Sequence, residues 1–141
     1  MGGSYGVLVH GVGTLVNSGN IAGTVNSSGT TGRGVQLDSG GSITNAVSAS
    51  IMGIFRGAEI SGAAGVVVNK GSIASTGPTG GNGVQIGLNG GVGTIVNFGS
   101  IASTGSSGIG VILESGGSVA NYGRITGTGA NARVRGHAAH G

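Results

Sequence analysis

The sequence predicts an all-β protein: a right-handed parallel β-helix, or solenoid, of about five three-stranded rungs of 23–28 residues each. A short phrase, written Val-Asn-Phe-Gly-Ser-Ile at residues 96–101, recurs along the chain. Each repeat contains three short stretches of apolar residues at alternate positions, which is typical of half-buried strands. Glycine supplies 36 of the 141 residues. No segment shows the 3.6-residue period of an amphipathic helix, and glycine is unfavourable inside helices.

The asparagine of the recurring phrase marks one corner of each repeat. Its copies are spaced by 28, 24, 28 and 24 residues, at Asn17, Asn45, Asn69, Asn97 and Asn121. A period in this range indicates a solenoid, in which stacked repeats bury a core that one repeat could not bury alone. Asparagine tolerates left-handed backbone conformations, so we expect a left-handed turn here. We also expect the stacked amides to hydrogen-bond along the axis.

Three strands per repeat are expected to place apolar side chains inward. The first follows a glycine and reads apolar–variable–apolar, as in residues 35–37. The second has an apolar residue two positions before each asparagine, and the third has one four positions after it. The copy at Asn45 is worn, because Val47 replaces the glycine and the third strand offers Ala49, or Ile51 with a shifted register. The right-handed sense is expected because parallel crossovers are overwhelmingly right-handed.

Glycine pairs predict a second corner, between the first and second strands. They are Gly40-Gly41, Gly90-Gly91 and Gly116-Gly117. Length variation falls instead between the third strand and the next repeat, as is usual for insertions in solenoids. The longest such connection, from Ala22 to Arg33, is the expected protrusion. We assign residues 1–127 to the solenoid and 128–141 to a frayed or partial capping tail. This tail could be a partial sixth rung, a polar cap or a frayed end, and fraying is the preferred interpretation.

The composition argues against several partners. The six basic residues are mostly dispersed and give a net charge of only +3, whereas nucleic-acid binding usually needs clustered Lys and Arg. Cysteine is absent, which excludes disulfides and thiolate zinc sites. No apolar run approaches the ~20 residues of a membrane-spanning helix, and no signal peptide is visible. We expect no nucleic-acid partner, no membrane-spanning segment, no metal site and no cofactor.

The three acidic residues are the only candidates for acid–base chemistry. Asp38 and Glu59 are one rung apart, roughly 8 Å, which is within the range of an inverting glycosidase. Asp38 and Glu114 share a column but are three rungs, about 14 Å, apart, which is too far. We favour the interpretation that Asp38 and Glu59 are solvated outward charges, because no cleft is indicated. We expect His10 to contact Asp38, and we assign no catalytic residue.

Two outward columns could form ladders. Gln36, Glu59 and Gln85 occupy one of them and are expected to stack. The position after each asparagine forms the other, and it ends in Phe98 and Tyr122, an expected exposed aromatic pair on neighbouring rungs. Such a pair could bind a sugar or a protein, but stacking at a corner is the favoured interpretation. Ice binding would need a regular Thr-x-Thr column, and none lines up.

The repeats resemble the β-helical passenger repeats of bacterial autotransporters and related surface adhesins. The resemblance covers about residues 5–127 and is carried by phrases such as LESGGSVANYGRITG at 113–127 and its counterpart from Leu37. It implies a structural, non-enzymatic passenger segment that displays loops for adhesion at the bacterial cell surface or in secreted form.

Further expectations follow from this resemblance. The ligands would be host or surface glycans or proteins, and further rungs and an outer-membrane barrel would continue the parent protein. The alternative function is a fragment of a β-helical polysaccharide-processing enzyme, either a lyase or a glycoside hydrolase.

Overall fold

The computed structural model describes residues 5–23 and 32–135, which form β-strands and their connections. In this part of the chain no helix could cross a membrane. The strands are β1 (Tyr5–Val9), β2 (Gly13–Asn17), β3 (Asn20–Gly23), β4 (Arg33–Leu37), β5 (Gly41–Asn45), β6 (Ser50–Gly53), β7 (Arg56–Ser61), β8 (Gly65–Asn69), β9 (Ser72–Ser75), β10 (Asn82–Leu88), β11 (Gly93–Asn97), β12 (Ser100–Ser103), β13 (Ile109–Leu113), β14 (Gly117–Asn121), β15 (Arg124–Gly127) and β16 (Ala130–Val134).

The strands stack into three parallel sheets, as a three-stranded-rung β-helix requires. Sheet A has the order β1-β4-β7-β10-β13-β16, sheet B the order β2-β5-β8-β11-β14 and sheet C the order β3-β6-β9-β12-β15. Each strand pairs with its equivalent one rung away. One inward column of sheet A contains Val7, Val35, Ala58, Val84 and Val111, so the steps between residue numbers are 28, 23, 26 and 27. The predicted solenoid and its rung lengths are confirmed.

The core is built from the three predicted apolar columns. In the middle rungs these side chains are fully buried, as for Ile60, Val67 and Ile73 at 0% exposure. In the first rung, and in sheets B and C of the fifth, the equivalent residues are only partly buried, among them Leu15 and Ile125. The difference arises because a middle side chain is covered from both sides by its column neighbours, whereas an end side chain is covered from one side.

The worn repeat keeps its register through a longer corner. Ile51, not Ala49, pairs with Ile21 and Ile73 in the third column, which confirms the shifted alternative. Ser48 takes a positive φ of 67° in the corner, and the Ala49 amide donates to the carbonyl of Ala46. The extra residues are therefore accommodated in the turn, and the strands that flank it stay in register.

The asparagine corners differ from the prediction in their backbone. Each asparagine is the extended last residue of a sheet B strand, and the only non-glycine residues with positive φ in the described ranges are Ser48, Asn89 and Ser107. The prediction of left-handed asparagines is wrong. Their side chains act instead: Oδ1 of Asn69 accepts from the Gly71 amide, so the corner is closed by a local side-chain bond.

The glycine-pair corners agree with the prediction. All six glycines of the three pairs have positive φ, from 80° at Gly40 to 131° at Gly117. At Gly41 and Gly117 a Cβ would also collide with the carbonyl of the glycine one rung away, Gly13 and Gly93 respectively. These corners therefore need glycine both for backbone conformation and for the close approach of neighbouring rungs.

Connections vary most between sheet C and sheet A, as expected. Two residues separate β6 from β7, and six separate β9 from β10. The expected protrusion from Ala22 to Arg33 falls largely outside the described residues, since 24–31 are not described.

The tail contributes a strand. β16 pairs with β13 in parallel and brings Ala132 next to Val111, so the solenoid continues past the expected boundary at 127. Residues 130–134 are paired instead of frayed, and they begin a partial sixth rung over sheet A alone. The hydrogen-bonding potential of the β13 edge explains this, because an unpaired strand edge readily accepts another strand. Residues 136–141 of the expected tail lie outside the described residues.

Candidate functional site

The outer side of sheet A contains the polar cluster that comes closest to a chemical site. Glu59 lies in β7 and points away from the apolar core, yet it is only 2% exposed. Its Oε1 accepts from Nε of Arg33 at 2.7 Å and from Nη1 of Arg56 at 3.1 Å. The prediction that Glu59 is a solvated charge is wrong, because two long side chains from its own and the neighbouring rung cover it.

Aromatic rings lie against the two arginines that bind Glu59. The guanidinium of Arg56 lies 4.2 Å from the ring centroid of Phe55, and that of Arg33 lies 5.4 Å from the same ring and 5.7 Å from the ring of Tyr5. A cation over an aromatic face is attracted by the ring quadrupole. We call Tyr5, Arg33, Phe55, Arg56 and Glu59 the arginine cluster.

The arginine cluster holds one more positive than negative charge. Burial lowers the pKa of Arg56, its contact with Glu59 opposes this effect, and the neighbouring Arg33 adds to it. The Nε atom of Arg56 is buried and has no hydrogen-bond partner. A buried donor without a hydrogen-bond partner lowers the free energy of unfolding. The arrangement thus locks Glu59 in place at an energetic cost.

Asp38 belongs to a separate, more exposed set of contacts. Its Oδ2 lies 2.9 Å from Nδ1 of His10 one rung away, which confirms the expected contact. Its Oδ1 accepts from Nε2 of Gln36 at 2.6 Å. Each carboxylate of the Asp38–Glu59 pair is therefore bound to its own partners. Glu59 is enclosed by the arginine cluster, and among the described residues no side chain bonds both carboxylates.

The glutamine column is in register, but its side chains do not bond to one another as a ladder. Gln36, Glu59 and Gln85 are aligned across β4, β7 and β10. Gln36 donates to Asp38, whereas Gln85 accepts from Asn82 and donates to Glu114 at 3.2 Å. The predicted alignment is confirmed. The charged groups beside the column take the hydrogen bonds that stacked amides would otherwise make.

Glu114 lies at the far end of the same face. Its Oε1 is 3.4 Å from Nη1 of Arg135, which follows β16. Leu37 and Leu113, which precede Asp38 and Glu114, are three pairing steps apart, as the sequence predicts. The ion pair between Glu114 and Arg135 therefore connects the partial sixth rung to the fifth rung.

The corner after the asparagines contains the predicted aromatic pair. The rings of Phe98 and Tyr122 stack with centroids 5.1 Å apart and planes inclined by 14°. Both are well exposed, at 52% and 71%. One face of each ring is covered by the other ring. This stacking agrees with the interpretation of a ladder at a corner.

The two arginines that bind Glu59 were not singled out in the sequence. A signal was present, because Arg33 and Arg56 each precede the glycine of the first-strand phrase and therefore share a column. Arg56 is also three residues before Glu59. Phe55 offered no comparable signal, since it lies in an irregular connection whose path the repeat does not determine.

Within residues 5–23 and 32–135, no three metal-ligating side chains come together. Comparison of the chain with models of protein families, with curated proteins and with solved structures finds no match.

Proposed function

We propose that this chain is a structural, non-enzymatic segment of a bacterial surface passenger of the autotransporter type, and that it serves in adhesion. The proposal combines the resemblance of the repeats with the β-solenoid fold. In such an architecture stacking determines the interior of each rung, so outward side chains and corner connections are free to vary. The connections between sheets C and A differ in length. Such variation is compatible with a surface whose loops contact a ligand.

The environment of Glu59 is the observation that supports a non-enzymatic function. A glycosidase acid or base must reach its substrate, but this carboxylate is enclosed by two arginines and is 2% exposed. The alternative, a polysaccharide lyase or hydrolase fragment, would have to use Asp38 and Glu59 together. Their separate partners favour structural roles for both.

Surface display tests adhesion directly. The whole chain is fused between a signal peptide and an outer-membrane barrel, and bacteria that display it are compared with bacteria that display the barrel alone. We expect more displaying cells to be retained on glycan-coated or host-cell surfaces. Equal retention of the two strains would overturn the adhesive function.

A second assay tests for catalysis. The purified chain is incubated with neutral and acidic polysaccharides, and new reducing ends and unsaturated products are measured. We expect no turnover above buffer. Cleavage that disappears in Glu59→Gln, in a preparation that urea unfolding shows to be folded under the assay conditions, would establish the enzymatic alternative.

A further inference from the structure

Charge is distributed very unevenly around the solenoid. Of the nine charged residues, six basic and three acidic, seven lie in sheet A strands or directly after one. The other two, Lys70 and Arg124, lie beside the corner between sheets B and C. The outer side of sheet B carries no charge over five rungs, although surfaces of soluble proteins usually mix both signs.

The outer side of sheet B consists of two regular stripes of small side chains. Both are fixed by the register of β2, β5, β8, β11 and β14. One stripe is hydroxylic in four of five rungs and reads Thr14, Ser42, Val66, Thr94, Ser118. The other is aliphatic in four of five rungs and reads Val16, Thr44, Val68, Val96, Ala120. We call these ten residues the sheet B face.

The sheet B face is accessible along its whole length. None of its ten side chains is buried, and Val16 and Val66 are 68% and 39% exposed. The stripes are about 6.6 Å apart along a strand, and each repeats about every 4.8 Å along the axis. The result is a flat, uncharged surface on which a hydrogen-bonding line runs beside an apolar line.

We propose that the sheet B face binds an uncharged polysaccharide chain lying along the solenoid axis. Sugar rings present hydroxyl groups at their edges and C–H groups on their faces, which match the hydroxylic and aliphatic stripes respectively. A neutral polymer also leaves no charge unpaired against a face that carries none. The exposed aromatic rings of Phe98 and Tyr122 lie at the neighbouring corner, two residues after Val96 and Ala120 of the apolar line.

Within the described rungs, the face is small for a protein partner such as a second copy of this chain. These five rungs by five residues cover roughly 400 Å², about half of the ~800 Å² per partner that a stable protein interface buries. A repeating polymer does not need one large contact, because weak contacts at successive rungs combine through effective concentration. The inference rests on the proposed adhesive function and assigns the adhesive contact to this face.

The test measures adsorption of the whole chain to microcrystalline cellulose and to chitin, with insoluble polygalacturonate as an anionic comparison. Val66→Lys places a charge on the face, and Ser72→Lys, at an exposed site in sheet C of the same rung, is the matched control. Thr94→Lys is a second variant in case Val66→Lys folds poorly. Urea unfolding shows which proteins are folded.

We expect adsorption to at least one neutral polysaccharide, about tenfold weaker in Val66→Lys and Thr94→Lys and unchanged in Ser72→Lys. A tenfold loss corresponds to about 1.4 kcal/mol, within the cost of burying an unpaired polar group. No adsorption to either neutral polymer, adsorption to polygalacturonate alone, or equal loss in the sheet C control would each overturn the inference. Self-association that Val66→Lys abolishes, without glycan binding, would also overturn it.

The surface-display assay separates this inference from the function on which it rests. If displayed wild-type and Val66→Lys chains adhere equally, the adhesive function stands and the sheet B face is not its contact. If the wild-type chain does not adhere, both fail.

Discussion

The side-chain amide of Asn69 donates to Oδ1 of Asn97 in the next rung across 2.8 Å, and both side chains are fully buried. The same bond joins each asparagine to the next, from Asn17 through to Asn121. In the first four of these asparagines, Nδ2 also bonds a carbonyl of the following rung, as in Asn69 with Ser100 at 3.0 Å. A continuous polar line thus runs through the solenoid with its buried groups satisfied.

Replacement of Asn69 by Leu should destabilise the protein strongly. It removes the acceptor of Asn45 and the donor to Asn97, and it leaves the Gly71 amide unpaired. Since each unsatisfied buried group costs about 1–3 kcal/mol, we expect a loss of about 3–5 kcal/mol in the free energy of unfolding. Urea titration measures it. The neighbouring exposed change Lys70→Ala should cost under about 0.5 kcal/mol. Equal effects would contradict a stabilising ladder.

Glu59→Gln should also destabilise the fold, because it leaves Arg33 and Arg56 without their counter-charge. Both guanidiniums are mostly covered, at 18% and 13% exposure, so we expect a loss of about 2–4 kcal/mol. The matched control is Glu114→Gln, whose partner Arg135 is 53% exposed, and it should cost at most about 1 kcal/mol. Similar losses in the two variants would show that burial of the cluster contributes little.

Two glycines of one corner should respond differently to alanine. Gly116 and Gly117 both have positive φ, but a Cβ at Gly117 would meet the Gly93 carbonyl, whereas at Gly116 the nearest atom is 3.7 Å away. Gly116→Ala should cost about 1–2 kcal/mol, the usual penalty for a left-handed alanine. Gly117→Ala should cost clearly more, and thermal unfolding measures both. A smaller effect at Gly117 would mean that rung spacing relaxes easily.

Backbone amides should exchange with solvent at rates set by rung position. The core residues Val67 and Ile95 of the middle rungs are fully buried, whereas Leu15 of the first rung is only partly buried. Local opening is easiest where few apolar contacts hold a strand. Hydrogen exchange followed by mass spectrometry should therefore find β8 and β11 better protected than β2. Uniform protection would indicate that the solenoid opens only as a whole.

The sequence predicted the repeating features because stacking constrains every rung in the same way. The columns ending in Val119 and Ile125 and the amide ladder of Asn69 follow directly from the period. It could not decide between Ala49 and Ile51, since that choice depends on how the worn corner folds. The sequence favoured fraying of residues 130–134 because this segment has few apolar residues. In the structure the segment is held by pairing with the open edge of β13.

The candidate site was less predictable for a related reason. Alternation tells which way Glu59 points, but its burial depends on the conformations of the Arg33 and Arg56 side chains that fold over it. Likewise, the period places Asn17 at a corner but leaves two ways to close it. The structure uses an extended backbone and a side-chain bond to the Gly19 amide, where residue preference alone suggested a left-handed turn.

The amide line has a direction. Each asparagine before Asn121 donates through Nδ2 to the asparagine of the next rung toward the carboxyl terminus. The row therefore starts with Oδ1 of Asn17, which accepts from no earlier asparagine in the described residues, and ends with Nδ2 of Asn121, which donates to Gly123. A duplicated segment that begins and ends at equivalent asparagines would therefore match donor to acceptor at both new junctions. Such a chain can lengthen by whole rungs through tandem duplication. Each added rung would enlarge the outer faces while its core residues packed in the same columns as before.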